Sequence, residues 1–164
     1  MAIDKVREYL KRWNREGDIM EFDVSSATVE LAAEAVGVIP ARICKTLSFR
    51  DGEDGCILIE TAGDAKIDNR KFKDFFHQKA RMLTPEEVVE YTGHEIGGVC
   101  AFAIEHPNVR IYSDISMKRF ETVFPACGSS NSAIELTCGE LHEYSGSLEW
   151  IDVCKGWQEE AEEA

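Results

Sequence analysis

Hydrophobic residues recur along this chain at two spacings, one typical of helices and the other typical of strands. Between residues 3 and 14 they return every three or four positions, which predicts an amphipathic helix. Residues 19–24 alternate between apolar and polar, which predicts a short, half-buried strand. A second amphipathic helix follows, with either Ser25 or Ser26 able to cap its N-terminus and Gly37 at its end.

A predicted β-hairpin over residues 43–62 carries the first candidate functional side chain. The period of two puts Lys45 on one face of the first strand, together with Leu47 and Phe49. An ammonium group among large apolar neighbours is costly unless a partner or a cavity receives it. Lys45 therefore either extends its charge to water near a strand end or reaches into a pocket that takes an anionic or carbonyl oxygen.

Capping residues predict three further helices. Asp68 precedes a helix in which three phenylalanines, Phe75 among them, are expected to face the core. Thr84 and Thr137 are each followed three residues later by a glutamate, which is the capping-box pattern. The strands expected around these helices cover residues 109–113, 122–127, 133–136 and 150–154.

The order of these elements predicts the fold class. Strands outnumber the helical crossovers that a parallel series would need, and helices are scattered between hairpins. We therefore predict an α+β fold in which a mixed, curled, barrel-like β-sheet is surrounded by short helices. We expect one domain over residues 1–155, because 164 residues suffice for one core, and an acidic C-terminal tail over residues 156–164.

Composition and charge narrow the function classes. Apolar residues make up 44% of the chain and charged residues 30%, as in soluble globular proteins. No apolar run approaches the roughly 20 residues that span a bilayer, and no signal segment is evident, so we expect a cytoplasmic protein without a membrane partner. The net charge of −13 argues against a general nucleic-acid-binding surface. Residues 66–81 nevertheless hold six basic side chains against two acidic ones, as a local basic patch or a solvated helix face.

Residues 93–103 form the stretch around which the functional prediction is built. Gly97 and Gly98 interrupt an apolar run, which suits a backbone that turns sharply or lets another group approach closely. Such a loop can direct its N–H groups at a carbonyl or phosphate oxygen, although a tight connection between core elements is the commoner explanation of such spacing. Because no neighbouring pattern activates Cys100, we interpret it as a packing or pocket-lining thiol, and we interpret His94 as a solvent-exposed loop residue.

The common catalytic and metal-binding patterns are absent from the sequence. It has no P-loop, no dinucleotide-binding glycine pattern, no zinc-protease helix and no nucleophile elbow. The four histidines fall in separate elements without metal spacing. The six cysteines, irregularly spaced and without a C-x-x-C pair, fit reduced buried thiols better than a zinc site or disulfides. We therefore expect neither a metal nor another cofactor.

Several short motifs occur in an order that points to a family. Along the chain they are Lys45-Thr46-Leu47, Ala62-Gly63-Asp64, Thr92-Gly93, Gly97-Gly98-Val99, Asp114 and Ala126-Cys127-Gly128-Ser129. In this order they resemble the YbaK/ProX family of aminoacyl-tRNA editing domains, which includes freestanding Cys-tRNA(Pro) deacylases and the editing insertion of prolyl-tRNA synthetase. The resemblance covers roughly residues 24–155 and implies the fold of that family.

The resemblance assigns roles to individual positions. The critical lysine of the family falls on Lys45, the implied catalytic residue. The implied substrate-binding residues are Thr46, Gly97, Gly98, Val99, Cys100, Ala101, Asp114, Gly128 and Ser129. Ala101 stands where the Gly-x-x-x-Pro loop of the family has proline, and this loss of a fixed φ angle leaves the amino-acid preference open.

The implied reaction is hydrolysis of the ester that joins a mischarged amino acid to the terminal ribose of tRNA, with Cys- or Ala-tRNA(Pro) as the type of substrate. The implied partners are the acceptor end of an aminoacyl-tRNA and prolyl-tRNA synthetase. Two alternatives stay open. One is a non-catalytic relative that binds an aminoacyl-like ligand or a synthetase, and the other is an unrelated hydrolase with Cys100 as its nucleophile.

Overall fold

The computed structural model describes residues 2–158, which contain five short α-helices. They are α1 Ala2–Leu10, α2 Val29–Val36, α3 Asn69–Phe76, α4 Pro85–Thr92 and α5 Cys138–Tyr144. The predicted caps Asp68, Thr84 and Thr137 each accept hydrogen bonds from main-chain N–H groups in the first turn of their helix. The capping boxes predicted at Thr84 and Thr137 are both complete. With the cap at Asp68, the three predicted helix starts are confirmed.

Ten β-strands lie between and after these helices in the same described residues. They are β1 Met20–Glu21, β2 Ile43–Asp51, β3 Gly55–Ala62, β4 Lys66–Ile67, β5 Val109–Asp114, β6 Thr122–Pro125, β7 Ser132–Ala133, β8 Leu136–Thr137, β9 Trp150–Ile151 and β10 Cys154–Lys155. Six of them form one sheet in the order β8-β6-β2-β3-β5-β9, and the others form two small pairs, β1 with β7 and β4 with β10.

The six-stranded sheet is mixed and curls into a half-barrel. β2 and β3 form the predicted hairpin, antiparallel from Cys44 opposite Ala62 to Asp51 opposite Gly55. β2 with β6, β3 with β5 and β5 with β9 are parallel, whereas β6 with β8 is antiparallel. The predicted α+β fold with a mixed, curled sheet is therefore confirmed.

One large apolar cluster packs against the six-stranded sheet, and α1 and α3 contribute to it. Val6 and Leu10 of α1 are fully buried there. The α-helical part of this segment ends at Leu10 and a 3₁₀ turn follows, so the α-helix is shorter than the predicted one. Phe72 and Phe76 of α3 are buried in the cluster, but Phe75 is 38% exposed, so the prediction that it faces the core was wrong.

The helix α2 covers the start of β2. Its small buried residues pack against Ile43 and Phe124 in a second apolar cluster. The cap of α2 is Thr28, whose hydroxyl accepts a main-chain N–H bond, and not Ser25 or Ser26 as predicted. This packing holds α2 beside the start of β2.

Several predicted strands are shorter or divided because their pairing partners change. The strand predicted over residues 19–24 is limited to β1, and the one predicted over residues 122–127 ends with β6. Residues 133–136 are divided between β7, which pairs with β1, and β8, which pairs with β6. Residues 150–154 are likewise divided between β9 and β10, which belong to different sheets.

Two predictions concern the chain as a whole. In residues 2–158 no helix is long and apolar enough to cross a membrane. The single domain over residues 1–155 stays a prediction. Most of the predicted acidic tail, residues 159–164, lies outside the described residues.

Candidate functional site

A cleft of about 260 Å³ opens along the middle of β2. Its walls come from the start of α2, from β2, from the loop at residues 96–99 and from the chain that follows β6. Four of the predicted site residues line it, namely Lys45, Thr46, Gly97 and Val99. The fold therefore brings the lysine motif and the glycine loop to one cavity, although they are far apart in sequence.

The Lys45 side chain is half-buried at this cleft. Its Nζ donates a hydrogen bond to the main-chain oxygen of Gly63 at 3.4 Å. Burial lowers the pKa of the Lys45 ammonium, while the negative charges of Asp64 and Glu30 oppose that shift. Asp64 itself accepts two hydrogen bonds from the guanidinium of Arg119, at 2.5 and 2.9 Å. The Lys45 side chain thus lies half-buried at the cleft, with its Nζ oriented by one main-chain oxygen.

Glycine is required at position 63, beside this lysine. A Cβ atom at Gly63 would lie 2.1 Å from the main-chain oxygen of Pro40 and 2.8 Å from Cγ1 of Val29. No side chain fits at such distances, so the close approach of these segments depends on glycine. The contact holds the acceptor of Lys45 against the first turn of α2, and it links the Gly63 motif to the cleft.

The glycine loop is held by a tight contact with a second turn. A Cβ atom at Gly98 would lie 2.7 Å from the main-chain nitrogen of Ser129 and 2.9 Å from the main-chain carbon of Gly128. Gly97 has a φ of 98°, in the region that favours glycine. The Gly98 N–H is bonded to the oxygen of Glu95 at 3.0 Å, so this donor is not directed at the cleft. The predicted residues Gly98, Gly128 and Ser129 therefore meet behind the cleft wall, where they support the loop.

Two other predicted residues lie away from the cleft lining. Asp114 is fully buried, and its carboxylate accepts N–H bonds from Ser116 at 2.9 Å and Val153 at 3.0 Å. Ala101 is buried in an apolar cluster and borders a different, more open groove of about 840 Å³ beside α1. The geometry gives both residues a place in the framework, and their part in substrate binding stays a prediction.

Cys100 and His94 form a buried pair that the sequence did not indicate. His94 is only 2% exposed, so its interpretation as a solvent-exposed residue was wrong. Its Nε2 lies 2.9 Å from the oxygen of Phe102 and 3.5 Å from Sγ of Cys100. Burial lowers the pKa of His94 and raises the pKa of Cys100 to about 12.

This environment makes Cys100 a poor nucleophile. The Nε2–H of His94 donates to the Phe102 carbonyl, so Nε2 is not available as a base for the thiol. Cys100 is fully buried and does not border the cleft. The six cysteines are all free, and five of them are buried. The thiol-hydrolase alternative therefore has no support in the geometry.

Several cleft residues were not identified from the sequence. Met82 and Ile96 stand at the cleft with exposed fractions of 62% and 64%, although both are apolar. Thr28 and Ala126 also border it. The correct choice of cap for α2 would have pointed to Thr28, whereas no local signal distinguishes Met82 from other loop residues. Within residues 2–158, no group of three or more histidine, cysteine or acidic residues could hold a metal ion.

A family model matches most of the chain. The family described as "Aminoacyl-tRNA editing domain" matches residues 24–144. The uncharacterized protein YwhH of Bacillus subtilis is 60% identical over 158 residues, which are 96% of this chain and 100% of that protein. A proline–tRNA ligase of Thermotoga maritima is 30% identical over 94 residues, which are 57% of this chain but only 16% of the ligase.

A solved structure supports the same assignment. A crystal structure described as that of a candidate trans-editing enzyme for prolyl tRNA synthetase has a TM-score of 0.83 and 29% sequence identity. The similarity covers 94% of this chain and 98% of that one. Residues 24–144 include every predicted site residue, from Lys45 to Ser129.

Proposed function

Because the chain belongs to the aminoacyl-tRNA editing domain family, we propose that it hydrolyses the ester bond of a mischarged aminoacyl-tRNA. The expected substrates are of the Cys- or Ala-tRNA(Pro) type. The observation that carries the proposal is the position of Lys45 in a small cleft whose wall includes Gly97 and Val99. The family residues that line one cavity are those expected to contact the aminoacyl end.

The chemistry asks little of the side chains. Water adds to the ester carbonyl carbon, the bond to the ribose oxygen breaks, and the ribose hydroxyl leaves with a proton, giving a free amino acid and tRNA. The protein must hold the carbonyl and stabilise the oxyanion that forms, and one such donor contributes about 3–4 kcal/mol. Lys45 supplies a fixed positive charge that orients a substrate oxygen or phosphate, and it is not the nucleophile.

The dimensions of the cleft suit a small amino acid. A cavity of about 260 Å³ has room for a side chain such as that of alanine or cysteine. Excluding one additional methylene group is worth about 1–3 kcal/mol, so selection by volume alone is modest.

The surface charge limits the contact with the rest of the tRNA. With a net charge of −13, the protein is expected to bind mainly the acceptor end and to gain affinity from prolyl-tRNA synthetase as a partner. This role belongs in the cytoplasm, where aminoacyl-tRNA is used.

A deacylation panel tests the proposal. Tritiated alanine, cysteine and serine are each attached to tRNA(Pro), correctly charged Pro-tRNA(Pro) serves as the control, and the ester that remains is measured over time. We expect hydrolysis of at least one mischarged species and preservation of Pro-tRNA(Pro). Tight binding of these tRNAs with no loss of ester would instead identify a non-catalytic relative, and hydrolysis of none without binding would reject both.

A further inference from the structure

The outer edge of β2, away from β3, has two different partners with a gap between them. Near its start, β2 pairs with β6 through Ile43 and Cys44. Near its end, an antiparallel bridge joins Phe49 to Met82. Within the described residues, no strand pairing occupies the edge between Cys44 and Ser48, and this stretch lines the cleft.

The main-chain groups of Thr46 point into this gap. In an antiparallel pair, alternate residues direct both N–H and C=O toward the partner strand or away from it. The Arg50 N–H donates to the oxygen of Arg81 at 2.8 Å, and the Ser48 oxygen accepts from the N–H of Leu83 at 3.3 Å. Both bonds lie on the side away from β3, so alternation gives Thr46 the same orientation.

The pattern on β3 leads to the same assignment. The Cys56 N–H donates to the oxygen of Asn108, and the Ala62 N–H donates to the Ser116 hydroxyl, so these even-numbered residues of β3 point away from β2. Glu60, which is opposite Thr46, has the same parity. Thr46 therefore presents one N–H donor and one C=O acceptor at the cleft, on the edge of β2 where the described residues provide no strand partner.

An aminoacyl ester has the complementary groups. In an extended conformation, one residue directs its N–H and its C=O to the same side, which is how two residues of an antiparallel pair exchange two hydrogen bonds. The α-ammonium and the ester carbonyl of an aminoacyl group are these same two groups. Adding a strand to an unpaired sheet edge is a known mode of peptide recognition, and a single amino acid is its shortest form.

We propose that Thr46 binds the aminoacyl group through its main chain, with its N–H donating to the ester carbonyl oxygen and its C=O accepting from the α-ammonium. This inference rests on the proposed function, because it assumes an aminoacyl ligand in the cleft. The contact recognises the ester carbonyl and the α-ammonium, which all α-amino acids share. The cavity then selects the side chain. The Lys45 ammonium, bonded to Gly63, is then available to a ribose or phosphate oxygen.

Amide hydrogen exchange measured by NMR tests the proposal on the whole protein. The ligand is 3′-deoxy-3′-(alanylamino)adenosine, in which an amide replaces the ester so that it is not hydrolysed. Leu47 is the internal control, because its parity directs its N–H to β3 opposite Ile59. In the free protein, the Thr46 amide should exchange at least about tenfold faster than that of Leu47, and saturating ligand should slow it at least about tenfold while Leu47 stays unchanged.

A second ligand tests the acceptor half of the contact. 3′-Deoxy-3′-(propanoylamino)adenosine has the same shape and lacks the α-ammonium. We expect it to bind at least about tenfold more weakly, since a hydrogen bond from a charged donor is lost. Equal affinity for the two ligands would overturn the role of the Thr46 carbonyl.

The outcomes separate this inference from the proposed function. Exchange at Thr46 as slow as at Leu47 in the free protein, or unchanged exchange at saturation, would overturn the inference even if mischarged tRNA is hydrolysed. Slowed exchange at Thr46 with no ester turnover would support the inference and reject the proposed function.

Discussion

Replacing Lys45 with methionine removes its charge and keeps most of its volume, which separates its chemical role from its packing. If Lys45 stabilises developing negative charge or orients the substrate, its loss should lower kcat/KM for the mischarged tRNA about 10²–10³-fold, as the loss of one oxyanion donor does. The loss appears in kcat if the contact strengthens in the transition state, and in KM if the bound substrate already makes the contact fully.

The expected effect on stability is small. The distance of 3.4 Å from Nζ to the Gly63 oxygen exceeds the usual range of about 2.7–3.2 Å, so this bond contributes less than about 1 kcal/mol. Methionine also removes a cation whose pKa burial has lowered, which offsets the loss. For a chain of 164 residues, a change of 1 kcal/mol moves Tm by about 2–4 °C. Activity should therefore fall while Tm stays within that interval.

Single-turnover deacylation and thermal unfolding are measured on the same preparations. Lys66→Met is the matched control, because Lys66 is exposed, lies close enough to affect the pKa of Lys45, and has no place in the cleft lining. We expect less than about a threefold change for this control, since exposed charges are screened. Full activity of Lys45→Met would refute the reasoning, and so would equal losses in the two variants.

Three further predictions concern the framework. Burial raises the pKa of Glu60 to about 8, so the folded state keeps a proton that the unfolded state releases near pH 4.5. The free energy of unfolding should therefore fall by up to a few kcal/mol as the pH rises from about 5 to 8. Urea unfolding of Glu60→Gln over the same pH range should show little of this fall. Gly98→Ala should lower the free energy of unfolding by about 1–3 kcal/mol or more, because its Cβ meets the Ser129 main chain. Gly139→Ala in α5 should raise it by about 0.5–1 kcal/mol, because its Cβ meets only the Thr137 hydroxyl, at 4.0 Å; equal effects in chemical denaturation would contradict this. Cys100→Ala should keep deacylase activity within about threefold, and a loss above 10²-fold would restore the thiol mechanism.

Local signals predicted the elements whose determinants are local. The capping boxes at Thr84 and Thr137 fix helix starts within four residues, and both are present. The cap of α2 was misplaced because serine, serine and threonine follow one another closely before it. The choice is made by a distant contact, since the Ser26 N–H donates to the oxygen of Ser130 at 2.6 Å and draws the serines out of the helix.

The candidate site was partly accessible for the same reason. The alternation of β2 placed Lys45 correctly on a strand, and the glycine doublet marked the loop that lines the same cleft. The burial of His94 was not predicted because residues 94–108 contain no helix or strand. Such a segment has no hydrophobic periodicity that would indicate which side chains face the core. The free edge at Thr46 depends on where β6 and Met82 stop pairing with β2, and no property of Thr46 itself encodes that.

The departure at Ala101 from the family loop can now be judged on physical grounds. Proline would restrict φ at this position, but the loop here is already fixed on both sides. Gly98 packs on the main chain of Ser129, and Cys100 and Ala101 are buried in apolar clusters. Ala101 does not line the cleft, so a missing ring there neither enlarges the cavity nor frees the wall formed by Val99. These contacts hold the loop in place without a proline, and the substitution is compatible with the proposed activity.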